Sequence, residues 1–379
     1  MNRPLLLLSI AAALLAAAPA AEAAPRRVPF GFYGVMWDRA AAAAPDADQT
    51  AQWNLMARSG VESVRTVFSW AKAQPEGGQP PSFAATDQVV ALAAARNIRL
   101  LPIVVGTPRW AARDPSDGRA SPPARIEDYT AYLQALVQRY GPQGSFWTER
   151  PDLPRRPLRE WQIWNEPHLD YYWHVPGDGP TAWATEYVAL LHESKRAIES
   201  IDPGAAIVLA ALADASWKIL TTLYRAGVRG SFDAVGINIF TARPGFVIAA
   251  ARLVRRVLRR EHEGRKPIWV TETTFPAGKG RVARPPLSWQ QNWYTTDRGM
   301  ASRLRKLYRL GQRNRRRLRL ARIYWYTWAS AYDGQDDLFE YAGLIQYGSS
   351  LSPRPALTAY ARSARRAEGC HKTAAGTCS

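Results

Sequence analysis

Short apolar runs and longer amphipathic stretches alternate along almost the whole chain. The runs are 30–37, 63–70, 98–106, 160–164, 206–213, 232–240, 267–272 and 322–328. Most are rich in Val and Ile with no strict alternation of polar residues, the pattern of strands buried on both faces. Between them apolar residues recur at helical spacing, as in 50–59, 86–96, 126–140 and 181–200. Gly60 is placed to stop the first of these helices, and Asp202-Pro203-Gly204 turns the chain into the fifth strand. Eight β–α units predict an α/β fold, a closed (β/α)8 TIM barrel in a single domain, over an open doubly wound sheet. No Gly-rich fingerprint follows the first strand, so the signal for a nucleotide-binding sheet is missing.

The ends of the chain carry different signals. Arg3 is followed by an apolar run from Leu5 to Ala18 and then Ala21-Glu22-Ala23. A basic start, a short apolar core and a small-x-small site predict a signal peptide over 1–23, and hence export without membrane insertion of the mature protein. The barrel is expected over 24–366. A tail over 367–379 holds both cysteines, Cys370 and Cys378, which in an exported protein are expected to close one small disulfide loop.

Charge changes this picture little. The net charge of +18 is mostly arginine, clustered at 252–260 and 303–322. Leucine and valine recur at helical spacing in both stretches, so the arginines read as wet faces of amphipathic helices. Nucleic acid is not an expected partner. An anionic or cell-envelope glycan is, because a basic field concentrates it. Five scattered histidines and two cysteines offer no metal-ligand cluster, and no metal or other cofactor is expected.

In a TIM barrel the chemistry sits at the C-terminal ends of the strands. At those ends the sequence places Arg65 with Trp70, Trp110, Asn165-Glu166, Asn238, Glu272 and Trp328. Two carboxylates thus face a mouth lined by aromatics and amides, a combination suited to a sugar, whose C–H faces stack on aromatic rings. Strands four and seven lie across the mouth from each other, so Glu166 and Glu272 can flank one glycosidic bond. Glu166, between Trp164 and Pro167 and near a second carboxylate, is the easier to keep protonated and is expected to be the acid/base. Glu272 is expected to stay ionised as the nucleophile, with Arg65 as its cation. Asn165 is expected to offer its amide to the sugar. Trp70, Trp110, Asn238 and Trp328 complete the expected substrate contacts. Residues 142–157, rich in proline and arginine, read as an irregular excursion that offers a wall for the cleft.

Trp164-Asn165-Glu166-Pro167 after the fourth strand, with Trp269-Val270-Thr271-Glu272 in the seventh, resembles clan A glycoside hydrolases. More narrowly the chain resembles bacterial family 39 enzymes, with a wider likeness to cellulase family 5. Further markers are Gly60-Val61-Glu62-Ser63-Val64-Arg65, Thr107-Pro108-Arg109-Trp110 and Tyr326-Thr327-Trp328. The resemblance implies a retaining O-glycosidase with the acid/base at Glu166, the nucleophile at Glu272, a supporting Arg65 and an aromatic platform at Trp328. The chain departs from the pattern at the sixth strand, where Asn238-Ile239-Phe240 stands in place of His-x-Tyr, and after the nucleophile, at Thr273-Thr274-Phe275. Two other readings use the same residues: a carbohydrate-binding protein with weakened catalysis, and a transglycosylase.

Overall fold

Parallel hydrogen bonding closes eight strands into a barrel in strict chain order, with β8 returning to β1. The computed structural model describes residues 25–38, 42, 46–175, 179, 181–282, 292–331, 339–347 and 352–378. The strands are β1 (Tyr33–Trp37), β2 (Ser63–Ser69), β3 (Arg99–Val105), β4 (Glu160–Ile163), β5 (Ala206–Ala213), β6 (Ala234–Asn238), β7 (Ile268–Thr273) and β8 (Leu320–Trp325). One long helix follows each: α1 (Asp46–Arg58), α2 (Ala84–Ala94), α3 (Ile126–Tyr140), α4 (Ala182–Glu199), α5 (Ser216–Arg225), α6 (Pro244–Arg260), α7 (Asp297–Leu318) and α8 (Pro355–Glu368). This is the TIM barrel that the alternating pattern predicts. The expected leader over 1–23 lies outside the described residues. No helix among the described residues is long and apolar enough to cross a membrane.

The strands form because their residues are buried on both sides. Every residue of β1, β6 and β7 is buried. The helices form because one face can be buried: α7 covers the barrel with Met300, Leu304, Leu307 and Tyr308 and leaves its arginines largely to solvent. Thr296 caps that helix, its hydroxyl accepting from the Gly299 N–H at 3.1 Å.

Two arginines of the basic clusters are not wet, which corrects the expectation for them. Arg255 on α6 is buried, and its guanidinium donates to the carbonyls of Leu318, Gly264 and Lys266, tying α6 to the end of α7. Arg322 on β8 points into the lower barrel, where it pairs with Glu160 of β4 at 2.6 Å and lies 4.0 Å from the Trp269 ring centroid. Unpaired, either charge would be too costly to bury.

Beneath the barrel the tail folds back as a loop closed by the Cys370–Cys378 disulfide, with the two Cα atoms 5.6 Å apart. Lys372 of that loop donates to Glu62 at 2.6 Å, and Glu62 also accepts from Arg26 and from the Gly31 N–H. Glu368 is buried beside this group with no hydrogen bond to its carboxyl oxygens, and burial with the nearby Glu62 pushes it up to about 8. Below its ordinary value of 4.5 the group is neutral in both states. As pH rises the unfolded chain ionises first, so this group's contribution to stability is lost progressively until about pH 8. Glu368→Gln, neutral throughout, is expected to melt a few degrees above the parent at pH 8 and to match it most closely at pH 4.5. Thermal unfolding at the two pH values checks this, and an equal difference at both would exclude it.

The excursion over 142–157 joins α3 to β4, so it lies at the N-terminal end of the barrel. Leu158 N–H donates to the Tyr140 carbonyl at 2.9 Å, pinning it there. It cannot wall the mouth, which corrects the expectation: a segment leading into a barrel strand lies at the end opposite the chemistry.

Candidate active site

At the C-terminal end of the barrel the chain after β4 does not simply turn away. Trp164 and Glu166 both take left-handed backbone angles, φ 68° and 45°. Such conformations cost a non-glycine residue about 1–3 kcal/mol each and persist only where the surroundings enforce them. Trp164 N–H donates to the Val104 carbonyl at 3.0 Å, Glu166 N–H donates to the Ala211 carbonyl at 3.1 Å, and the Trp164 indole donates to the Tyr172 carbonyl at 2.9 Å. This backbone turns the Glu166 side chain into the mouth.

Arg65, from β2, organises the centre and has no exposed surface. Its guanidinium donates to Gln162 at 2.7 Å, to Asn165 at 2.8 Å and to Glu272 at 2.5 Å, with the Met36 sulfur 3.6 Å away. Gln162 was missed in the sequence. Its amide occupies the space a side chain on Gly236 would need, 2.8 Å from where that Cβ would stand, so Gly236 is required for the close approach. The only sequence signal for Gln162 is a polar residue between the apolar Trp161 and Ile163 of its strand.

Asn238, at the end of β6, is the register partner of Glu272. Its amide donates to Glu166 at 2.7 Å and also reaches Glu272, while its carbonyl accepts from Thr271 at 2.8 Å. It is fully buried. Asn238 therefore positions the two carboxylates; the expected direct contact with substrate is corrected, because its hydrogen-bonding groups are spent inside the site.

The two glutamates are held in different electrostatic states. Burial raises Glu166 most, the charge of Glu272 raises it further, and the Asn238 amide opposes both; the carboxyl is pushed up to about 8. Burial raises Glu272 too, and the charge and hydrogen bond of Arg65 oppose that rise; of the two carboxyls, Arg65 hydrogen-bonds Glu272 alone. A single proton shared by the pair therefore belongs on Glu166. Tyr172, which the sequence left unassigned, joins this group: burial and then the charges of Glu272 and Glu166 push its phenol upward. His168, two residues past Glu166, is lowered to about 4 by burial and so adds no positive charge at neutral pH.

The aromatic residues divide. Trp110 keeps 38% of its surface exposed, with its indole N–H fixed on the Gln74 carbonyl at 2.9 Å, and it can offer a face to a sugar. Trp70 has no exposed surface; it packs edge-on beneath Trp110 at 5.5 Å. Trp328 is equally buried and donates to Gln52 at 3.1 Å. Rings without accessible surface cannot stack on substrate, so Trp70 and Trp328 are corrected to wall residues. Phe240, where the sequence departs from His-x-Tyr, packs on Phe339 at 4.8 Å and Tyr326 at 5.9 Å, an apolar flank to the mouth.

Solved structures of glycoside hydrolases share the closed parallel barrel of this chain. A family 39 glycoside hydrolase from the gut symbiont Bacteroides cellulosilyticus aligns over 90% of this chain at 18% identity and TM-score 0.67. A monomeric β-xylosidase from Caulobacter crescentus aligns over 89% at 19% identity and TM-score 0.63. The chain spans 64% of the first of these structures and 69% of the second. It spans 99% of a β-glucosidase from Thermotoga maritima, at 10% identity and TM-score 0.61. No protein-family model matches the sequence, and no curated protein is recognisably similar to it by sequence.

Proposed function

We propose that this chain is an exported retaining O-glycoside hydrolase that cleaves an oligo- or polysaccharide through two glutamates, Glu166 as acid/base and Glu272 as nucleophile. The observation that carries the reading is the asymmetry of the pair. Both carboxyls lie within reach of one amide, Asn238, yet only Glu272 is hydrogen-bonded to the buried guanidinium of Arg65. A retaining mechanism needs its two carboxyl groups about 5–5.5 Å apart, and the placement of both beside Asn238 supports that reading.

In the first step the Glu272 carboxylate attacks the anomeric carbon. The C–O bond to the leaving group breaks, and Glu166 gives its proton to the departing oxygen. In the second step Glu166, now a carboxylate, takes a proton from water as that water displaces Glu272. Arg65 and Asn238 hold the carboxylates throughout; Asn165, whose carbonyl is held by Arg65, keeps its amide N–H groups for a sugar hydroxyl. Export rests on the N-terminal sequence pattern.

The test is intact-mass measurement after incubation with a panel of activated 2-deoxy-2-fluoro glycosides, followed by peptide mapping. A stable adduct on Glu272 is expected, and the glycoside that reacts identifies the sugar. An adduct on another residue would remove Glu272 from its role. No adduct while glycans still bind would favour the binding-protein alternative.

A further inference from the structure

The end of the barrel opposite the glutamates holds a cavity of about 540 Å³ at the starts of β3 and β4. That size falls in the range of small-molecule sites and far exceeds an inorganic anion. Arg99, Arg155, Arg156 and Arg159 line it, with Glu160 as the single carboxylate among its walls. Glu160 is already engaged by Arg322, with Arg99 3.8 Å away, and Arg159 is paired with Asp202. Arg155 donates only to the neutral Pro142 carbonyl, and Arg156 has no partner among the described residues. Two exposed guanidiniums therefore face the cavity with no carboxylate to neutralise them.

These arginines are not the wet face of a helix. They belong to the excursion before β4 and to the strand starts, and the chain there is pinned to Tyr140 and Pro142. The remaining wall is apolar, formed by residues such as Leu100 and Leu158, with Phe30 at its edge beneath the Arg99 guanidinium at 5.2 Å. A planar guanidinium fork matches a carboxylate or a phosphate ester, and an apolar wall matches the C–H face of a ring. Single-stranded nucleic acid would instead call for a series of free aromatic faces, and Phe30 is the one aromatic here.

We propose that this cavity is a second glycan-binding site, remote from the glutamates, which takes an anionic sugar unit of a polysaccharide through Arg155 and Arg156. A carboxylate and a phosphate ester share the recognition chemistry. The site would hold the polymer at the far end of the barrel, and it does not depend on which sugar is cleaved.

The experiment is calorimetric titration of the full chain with four probes: an oligogalacturonate, a phosphorylated oligomannoside, a neutral oligosaccharide and a single-stranded DNA of equal charge. At least one anionic glycan is expected to bind, and the tighter of the two names the anionic group. The Arg155→Ala/Arg156→Ala variant is expected to weaken that binding about tenfold or more. Arg305→Ala/Arg309→Ala removes the same charge from exposed positions on α7 and is expected to change it less than about twofold. Neither variant is expected to alter hydrolysis of a small neutral glycoside. The proposal is overturned if neither anionic glycan binds or if both variants weaken it equally. It is also overturned if the DNA binds as tightly and loses as much in the first variant. A failure here leaves the hydrolysis reading intact, and failure of the fluoroglycoside test leaves this one intact.

Discussion

Glu272→Gln is expected to lower kcat/KM on the best activated glycoside by on the order of 10⁵-fold, because the attacking oxygen is lost and no neighbour can replace it. The fold should survive. Arg65 keeps its bonds to Gln162 and Asn165, and the new amide oxygen can still accept from it. Breaking a buried ion pair outright costs about 3–5 kcal/mol. Here that cost is offset in part, because burial already opposed the Glu272 charge and Glu166 lay close enough to repel it. A fall of a few degrees in Tm is expected beside the collapse in rate, so circular dichroism and kinetics separate the two effects. Glu272→Ala adds a chemical test. It opens room for azide, which can attack the anomeric carbon from the emptied side while a phenolate leaves unaided. The product is then a glycosyl azide of inverted configuration. Residual activity above about a tenth of the parent in Glu272→Gln would remove this residue as nucleophile, and so would an azide product of retained configuration.

The barrel was legible because burial on both faces writes itself as unbroken runs of Val, Ile and Leu, and because such runs recur at a spacing that leaves room for a helix. The ion pair of Arg65 with Glu272 was legible too, since residues at the ends of inner strands converge whatever the loops do. Spacing along the chain does not reveal which strand-end side chains are covered. Trp70 and Trp328 stand at the expected positions, but other rings and Gln52 close over them. Nor does it reveal polar residues used as spacers. Gln162 and Asn238 lie within barrel strands, one holding Arg65 and the other Glu166, and only the closed barrel brings them within 3 Å of their partners. Arg255 and Arg322 had the composition of a wet face, yet carbonyl groups and Glu160 hold them inside. The excursion before β4 was misplaced for a topological reason: a proline- and arginine-rich segment resembles a cleft wall until the direction of the strand it feeds is fixed.

Glu166→Ala is expected to change the pH profile more tellingly than the rate. In the parent, kcat/KM should fall above about pH 8, where Glu166 loses its proton, and should fall again in acid as Glu272 becomes protonated. The cause of the alkaline limit also supplies the role change needed in the second step. Part of the upward shift of Glu166 comes from the charge of Glu272, and that charge disappears when Glu272 is bound to the sugar. The Glu166 pKa then drops, and the same carboxyl that was an acid becomes a base for water. Without it, a glycoside whose leaving group needs protonation should lose about 10²–10⁴-fold in turnover, and the alkaline limb should vanish. A dinitrophenyl glycoside needs no proton for bond breaking, so its first step should survive and the glycosyl-enzyme should accumulate as a burst. Azide needs no general base, and it should release that intermediate as a glycosyl azide of retained configuration, the opposite of the Glu272→Ala product. An unchanged alkaline limb in Glu166→Ala would assign that titration to another group, and an inverted azide product would remove the covalent intermediate from the mechanism.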